Sequence, residues 1–194
     1  FKEKTEIPVV VSIADVGASG AYYMSLAADI IFANPGSLVG SIGVMMANYS
    51  VAGLAEKAGV KFHMYKSGEY KDIFSNWRNP SASEDKMINA MILNVHSQFV
   101  KALIASRQME EKTAKSVANG SLYSGEQALS KGLIDKLGGF QDAIDYTAKK
   151  AGIKGKPILI TKTKMPFYDF MSFFTNQFRG LLYNLSKPVS QLYF

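Results

Sequence analysis

Short apolar runs alternate with stretches of helical periodicity along the 194-residue chain. The run IPVVVSI over 7–13 predicts a strand covered on both faces, because β-branched residues dominate it without polar alternation. Similar runs predict further strands over 30–33, 44–49, 60–65 and 157–161. The pattern therefore indicates several short buried strands separated by turns.

The longest helical pattern follows Pro80, where Ser81 and Glu84 have the spacing of a capping box. Apolar residues then recur at helical spacing as far as Ile104. Helices are predicted over 21–28, 54–58, 84–107, 112–118, 127–131 and 140–151. Strands that alternate with helices in this way predict an α/β fold with a largely parallel sheet flanked by helices.

The composition is that of an ordinary globular domain, with 47% hydrophobic and 20% charged residues. We predict one domain over 1–162 and an aromatic tail over 163–194, where the composition shifts. Such a tail could pack on a neighbouring domain or subunit, contact a membrane surface, or disorder without its partner. Its apolar residues have the spacing of an amphipathic helix, and they include Phe170, Phe173, Phe174, Phe178, Leu181, Leu182 and Leu185.

Charge and residue usage exclude several classes of function. The net charge is +6, but lysine and arginine are spread along the chain, so no nucleic-acid partner is predicted. The absence of cysteine excludes disulfides, thiol catalysis and cysteine zinc sites. The two histidines, His63 and His96, lack the spacing of a zinc hydrolase, and no metal or cofactor is predicted. The uncharged stretch 30–55 contains a Pro-Gly turn and polar residues, so it predicts short buried elements rather than a membrane span.

A serine lies on a predicted strand–turn–helix in the sequence Gly17-Ala18-Ser19-Gly20-Ala21. A hydroxyl on such a turn lies beside the free N–H groups of a helix N-terminus, which can stabilise an oxyanion. The competing interpretation is a serine that caps the helix. A nucleophilic serine also needs a base, which could be His63, His96 or a lysine kept neutral by burial.

Five segments in the same order resemble the conserved blocks of signal peptide peptidase A, a family of serine–lysine peptidases. The blocks are VGASGAYY at 16–23, LVGSIGV at 38–44, KSGEYKDI at 66–73, GSLYSGEQA at 120–128 and GLIDKLGG at 132–139. The match extends over about residues 7 to 150 in the right order. The resemblance is therefore far more specific than the serine turn alone.

The resemblance implies a role for four residues. Ser19 matches the nucleophile, Lys71 the general base, Ser41 a serine that orients the lysine, and Gly20 an oxyanion N–H donor. Lys66 does not align with the catalytic lysine. The alternative for Lys71 is a solvated lysine that pairs with Asp72 or Glu69, and the alternative for Ser41 is a plain turn serine. The blocks over 120–139 are interpreted as structural.

The resemblance also implies a fold and a cellular context. The implied fold is that of the Clp protease and crotonase group, incomplete at its N-terminus. Only 18 residues precede Ser19, so the family's Pro-Gly-Gly loop, which gives the second oxyanion donor, and its membrane anchor are expected to lie further upstream.

The implied activity is cleavage of signal peptide remnants by a membrane-associated homo-oligomer with an extracytoplasmic catalytic domain. The alternatives are a phage head-maturation type peptidase of the same family and a non-catalytic subunit that retains the fold. Acyl-CoA hydratases and isomerases share the wider fold, but their acidic catalytic residues have no counterpart here.

Overall fold

The computed structural model describes residues 7–161. The chain divides after Lys154 into two units, and the described part of the second, 155–161, forms neither helix nor strand. The strand predicted over 157–161 is therefore wrong. The aromatic tail predicted over 163–194 lies outside the described residues, so the domain boundary at 162 stays a prediction.

The first unit alternates short strands with helices. In chain order the elements are β1 (Val10–Ile13), β2 (Val16–Ala18), α1 (Gly20–Ser25), β3 (Ile30–Ala33), β4 (Leu38–Gly40), α2 (Ala52–Lys57), α3 (Ala82–Arg107), α4 (Glu111–Val117), β5 (Leu122–Ser124), α5 (Gly125–Ser130), β6 (Lys136–Leu137) and α6 (Phe140–Lys150). All six predicted helices are present, and the predicted class, α/β with mainly parallel strands, is confirmed.

The strands form two small sheets rather than one. The first has the order β1-β3-β6 and is parallel throughout, with Val10 opposite Ile30 and Phe32 opposite Lys136. The second has the order β2-β4-β5, in which β2 and β4 are parallel and β4 and β5 antiparallel. The turn after β2 and the end of β4 are neighbours, since Ala18 lies opposite Gly40. This pairing brings two of the predicted site segments together.

The helix α3 supplies one wall of the core. Its capping box is present as predicted, because Ser81 Oγ accepts from the Glu84 N–H at 3.3 Å and Glu84 Oε2 accepts from the Ser81 N–H at 2.7 Å. Leu103 on this helix is fully buried, as are Ile31 and Val39 on the strands. Burial of such side chains is the main favourable term in folding.

Two predicted strands, over 44–49 and 60–65, are irregular in the structure. Neither segment pairs with a strand of either sheet, and Tyr49, Phe62 and Tyr65 are exposed. A β-branched or aromatic run favours a strand only where a partner strand offers hydrogen bonds. The second sheet instead takes its strands from β2, which was predicted as a turn, and from β4 and β5, for which no strand was predicted.

Candidate active site

Ser19 lies at the junction of β2 and α1 in an unusual backbone conformation, with φ 52° and ψ −124°. Residues other than glycine rarely adopt positive φ, and such strain costs about 1–3 kcal/mol. The Ser19 N–H donates to the Gly40 carbonyl at 2.8 Å, which holds the turn against β4. Ser19 is exposed, and its side chain makes no capping hydrogen bond. The interpretation of Ser19 as a helix-capping serine is therefore wrong.

The helix that follows Ser19 is anchored in the core by Tyr22. The Tyr22 ring is fully buried, and its hydroxyl donates to the Leu133 carbonyl at 2.6 Å. Burial raises the pKa of Tyr22 well above its ordinary value, so the hydroxyl remains a proton donor. The neighbouring Tyr23 ring meets the Phe99 ring of α3 edge-on, with centroids 4.9 Å apart. These contacts fix the position of the Ser19 turn.

Ser41 occupies a second strained position, directly after β4. Its φ is 48°, and its N–H donates to the Ser121 carbonyl at 2.7 Å. The preceding Gly40 has φ 100°, and a Cβ at that position would lie 2.9 Å from the Ser121 carbonyl oxygen. The Gly120 N–H donates to the Ile42 carbonyl at 3.0 Å. The segment 120–121 therefore holds Ser41 in place, in agreement with the structural role predicted for 120–139.

Ser19, Gly20 and Ser41 line one open cavity of about 880 Å³. Most of its other lining residues are apolar, and α3 contributes a wall of Ile92, Leu93, Val95 and Phe99. Three of the four predicted site residues thus meet in one place. The fold brings them together because β2 and β4 are parallel neighbours and both end at this edge of the sheet.

His96 belongs to the same cavity, which the sequence did not indicate. It is half-buried on α3, and its Nε2 lies 2.8 Å from the Ala118 carbonyl oxygen. Because a carbonyl only accepts, Nε2 carries the hydrogen and donates. The spacing of Ile92, His96 and Phe99 on one helix face is the signal that could have placed His96 here. His63 is exposed and does not line this cavity.

Lys71, the predicted base, lies elsewhere in this structure. It is exposed on a turn, where its N–H donates to the Gly68 carbonyl at 3.2 Å, and it does not line the cavity that contains Ser19. The predicted alternative pairing of Lys71 with Asp72 or Glu69 is also not observed. Lys66 pairs with Asp72 instead, with Nζ 2.6 Å from Oδ1, and it also donates to the backbone carbonyl of Glu69 at 2.7 Å.

An ion-pair network joins the turn of Lys71 to the start of α3. Arg78 Nε donates to Asp72 Oδ2 at 2.8 Å, and Arg78 Nη1 donates to Glu84 Oε2 at 2.7 Å. Hydrogen bonds from Arg78 and Lys66 hold the pKa of Asp72 well below its ordinary value. Those from Arg78 and from the Ser81 N–H lower the pKa of Glu84 to about 2. Both carboxylates therefore stay ionised at neutral pH.

The residues that the structure describes offer no group of three or more His, Asp or Glu side chains arranged to hold a metal ion. None of the helices within 7–161 is both long enough and apolar enough to cross a membrane.

The sequence matches a model of one protein family. The model of peptidase family S49 matches residues 2–154. The chain is 37% identical over 148 residues to a putative signal peptide peptidase SppA of Enterococcus faecium, covering 76% of this chain and 43% of that protein. It is 34% identical over 161 residues to the chloroplastic serine protease SPPA of Arabidopsis thaliana, covering 82% and 24%.

Among solved structures, a membrane-bound stomatin-specific protease has a TM-score of 0.41 at 17% identity, covering 71% of this chain and 54% of that one. The chain spans about half the length, or less, of the curated relatives that it matches.

Proposed function

Because the chain belongs to peptidase family S49, we propose that it carries the nucleophile and general base of a serine endopeptidase. In this proposal Ser19 is the nucleophile, Lys71 the base, Ser41 the residue that orients the lysine, and Gly20 an oxyanion donor. The substrates are peptides, and signal peptide remnants are the class that the relatives' names favour.

The geometry of Ser19 is the observation that carries the proposal. Its hydroxyl is exposed in the cavity and makes no capping bond, although a serine at this position would ordinarily cap the helix. Strained backbone conformations, such as the positive φ of Ser19, cluster at active sites, where the surrounding structure maintains them. The buried Tyr22 and the Gly40 carbonyl supply that support.

The proposed reaction is acyl transfer through Ser19. Ser19 Oγ attacks the scissile carbonyl carbon while neutral Lys71 Nζ takes the hydroxyl proton. The first N–H of α1, that of Gly20, has no partner within the helix and stabilises the oxyanion. Lys71 then gives its proton to the leaving amine, and the acyl-enzyme forms. A water that Lys71 deprotonates releases the acyl group and restores the serine.

The shape and lining of the cavity support an apolar peptide as substrate. A volume of about 880 Å³ accommodates several residues of an extended chain, and its walls are mainly aliphatic and aromatic. Peptides derived from membrane-inserted signal sequences are apolar. We further propose that the whole protein is membrane-associated, with an extracytoplasmic catalytic domain, and forms a homo-oligomer.

The position of His96 makes it the rival base. It lines the cavity with Ser19, whereas Lys71 does not. However, its Nε2 is committed as a donor to the Ala118 carbonyl, so only Nδ1 could accept a proton. We therefore assign the base to Lys71, which requires the segment 44–80 to move or a second copy to supply the lysine.

Variants of the intact protein separate these assignments. We expect Ser19→Ala to lower kcat/KM by about 10⁶-fold and Lys71→Ala by about 10²–10⁴-fold, measured with a fluorogenic apolar peptide. His96→Gln should retain most of the activity.

Two exposed residues of α3 provide matched controls, Ser97→Ala and Lys101→Ala, and neither should change kcat/KM. Full activity of Ser19→Ala or Lys71→Ala would contradict the assignment. If His96→Gln lowers kcat/KM as much as the loss of a base should, while Lys71→Ala stays active, the role of general base belongs to His96. Failure of a serine-reactive phosphonate to label Ser19 would favour a non-catalytic subunit.

A further inference from the structure

The segment 118–121 belongs to the cavity of Ser19 without being part of a helix or strand. It connects α4 to β5, and three of its residues line the cavity. The position of such a segment depends on its individual contacts, because the regular hydrogen bonds of a helix or sheet do not continue through it. Those contacts lead to Ser41 on one side and to α3 on the other.

The contacts toward Ser41 are made by the backbone. The Ser41 N–H donates to the Ser121 carbonyl at 2.7 Å, and the Gly120 N–H donates to the Ile42 carbonyl at 3.0 Å. A Cβ at Gly43 would lie 3.4 Å from the Gly120 Cα, so the two stretches of chain run close together. A displacement of the segment therefore displaces Ser41.

The contact toward α3 is made by His96. Its Nε2 donates to the Ala118 carbonyl at 2.8 Å, and Ala118 is only 4% exposed. The helix itself is a firm support, because its residues Phe99 and Leu103 are buried in the core. A side chain at position 96 that cannot donate would remove this partner, and a buried carbonyl left without a partner is unfavourable. The segment would then shift toward another donor.

We propose that His96 is a positioning residue, which holds the segment 118–121 through Ala118 and thereby keeps Ser41 where it orients the lysine base. This inference rests on the role of Ser41 in the proposed function. In this role the imidazole neither takes nor gives a proton during the reaction. A side-chain amide that donates to the same carbonyl should therefore replace it.

Steady-state kinetics of the intact protein, with a fluorogenic apolar peptide as substrate, test this role. His96→Leu cannot donate, so we expect kcat to fall by about 10–100-fold with a smaller change in KM. His96→Gln retains a donor N–H and should restore most of kcat, which it would not do for a histidine that acts as base. Denaturant unfolding of each variant checks that it is folded.

Ser41→Ala completes a double-mutant cycle. If His96 acts through Ser41, the double variant His96→Leu with Ser41→Ala should have the kcat of Ser41→Ala alone, because residues that act as one unit are not additive. Gln98→Leu is the matched control. Gln98 also lines the cavity from α3, but its Nε2 donates to Asn94 Oδ1 within the helix at 2.7 Å. Any effect of Gln98→Leu should multiply with that of Ser41→Ala.

Asn119 gives access to the same segment from its exposed side, which serves if His96→Leu fails to fold. Its Oδ1 accepts from the Ser121 N–H at 3.0 Å. Asn119→Ala removes that acceptor and should lower kcat without adding to the effect of Ser41→Ala. Asn119→Asp keeps the oxygen and should restore most of kcat.

The outcomes separate this inference from the proposed function. A kcat of folded His96→Leu equal to that of the wild type would overturn the inference, as would an effect of His96→Leu or Asn119→Ala that multiplies with that of Ser41→Ala. In either case an impaired Ser41→Ala leaves the proposed function intact. A fully active Ser41→Ala would reject the role of Ser41 itself, and the role of His96 with it.

Discussion

At the scale of single residues, the candidate site depends on two serines with positive φ. Ser19 has φ 52° and Ser41 φ 48°, and both lie where parallel strands end beside one cavity. The family resemblance named both residues, and the parallel pairing of β2 with β4 brings them to the same cavity. The resemblance could not place Lys71, since the position of a long polar turn depends on packing between distant segments. The sequence named His96 only as one of several possible bases, and its place in the cavity with Ser19 follows from the packing of α3.

Gly40 is where a single methyl group should disturb the site. Gly40→Ala would place a Cβ 2.9 Å from the Ser121 carbonyl oxygen at φ 100°, which L-residues rarely adopt. We expect a loss of about 1–3 kcal/mol in the free energy of unfolding, together with reduced activity because Ser41 shifts. Denaturant unfolding and peptide hydrolysis measure the two effects.

Gly36→Ala is the matched control for this substitution. A Cβ at Gly36 has no atom within 4 Å, so stability should change by less than about 0.5 kcal/mol. Equal effects of the two substitutions would show that the geometry of Gly40 is not what supports Ser41.

At the scale of elements, helices were predicted more faithfully than strands. The capping box of Ser81 and Glu84 marks the start of α3 from sequence alone, since all of its interactions are local. Strands depend on a partner. The segment 60–65 has the apolar alternation of a strand but no partner edge, whereas β2, only three residues long, forms because β4 lies beside it.

The ion pairs of Arg78 with Asp72 and Glu84, which connect α3 to the preceding turn, should weaken at acidic pH. The pKa values of Asp72 and Glu84 are lower in the folded state than their ordinary values of 3.8 and 4.5. Folding therefore releases protons at low pH, and the stabilisation is complete above those ordinary values and is lost as the pH falls below them. We expect the contribution of this network to the free energy of unfolding to be constant from pH 7 to about 5 and to fall below that, with up to about two protons taken up by Asp72 and Glu84 on unfolding.

Arg78→Met should reduce this dependence on pH, because Asp72 and Glu84 both lose the arginine that they share. Lys115→Met serves as the control, since it breaks only the exposed pair with Glu111 on α4. Urea unfolding from pH 7 to 3 measures the slopes. A slope in Arg78→Met equal to that of the wild type would contradict the role of the network.

At the scale of the whole molecule, several large apolar side chains face outward. Met45 is 82% exposed, Tyr49 70% and Tyr65 92%, all in the segment between β4 and α3. The sequence predicted the α/β class because alternating elements suffice for it. It did not predict the division into two sheets, which depends on the register of strands only two to four residues long.

If a second copy supplies Lys71, which is one of the two proposed routes, activity should depend on protein concentration. We expect the specific activity of the intact protein to fall at dilutions where sedimentation shows dissociation. Met45→Ser with Tyr49→Ser should shift that midpoint to higher concentration, since exposed apolar area stabilises association. Lys101→Ala should not shift it. Undiminished activity of a dissociated subunit would contradict a role for assembly.

The hydrogen bond from Tyr22 to Leu133 has a consequence for the order of events in the cell. The two residues are 111 positions apart, so the acceptor is synthesised long after the donor. Ser121, which holds Ser41, is also synthesised well after Ser41. A growing polypeptide on the ribosome therefore contains both serines of the cavity before it contains the backbone groups that hold them in place.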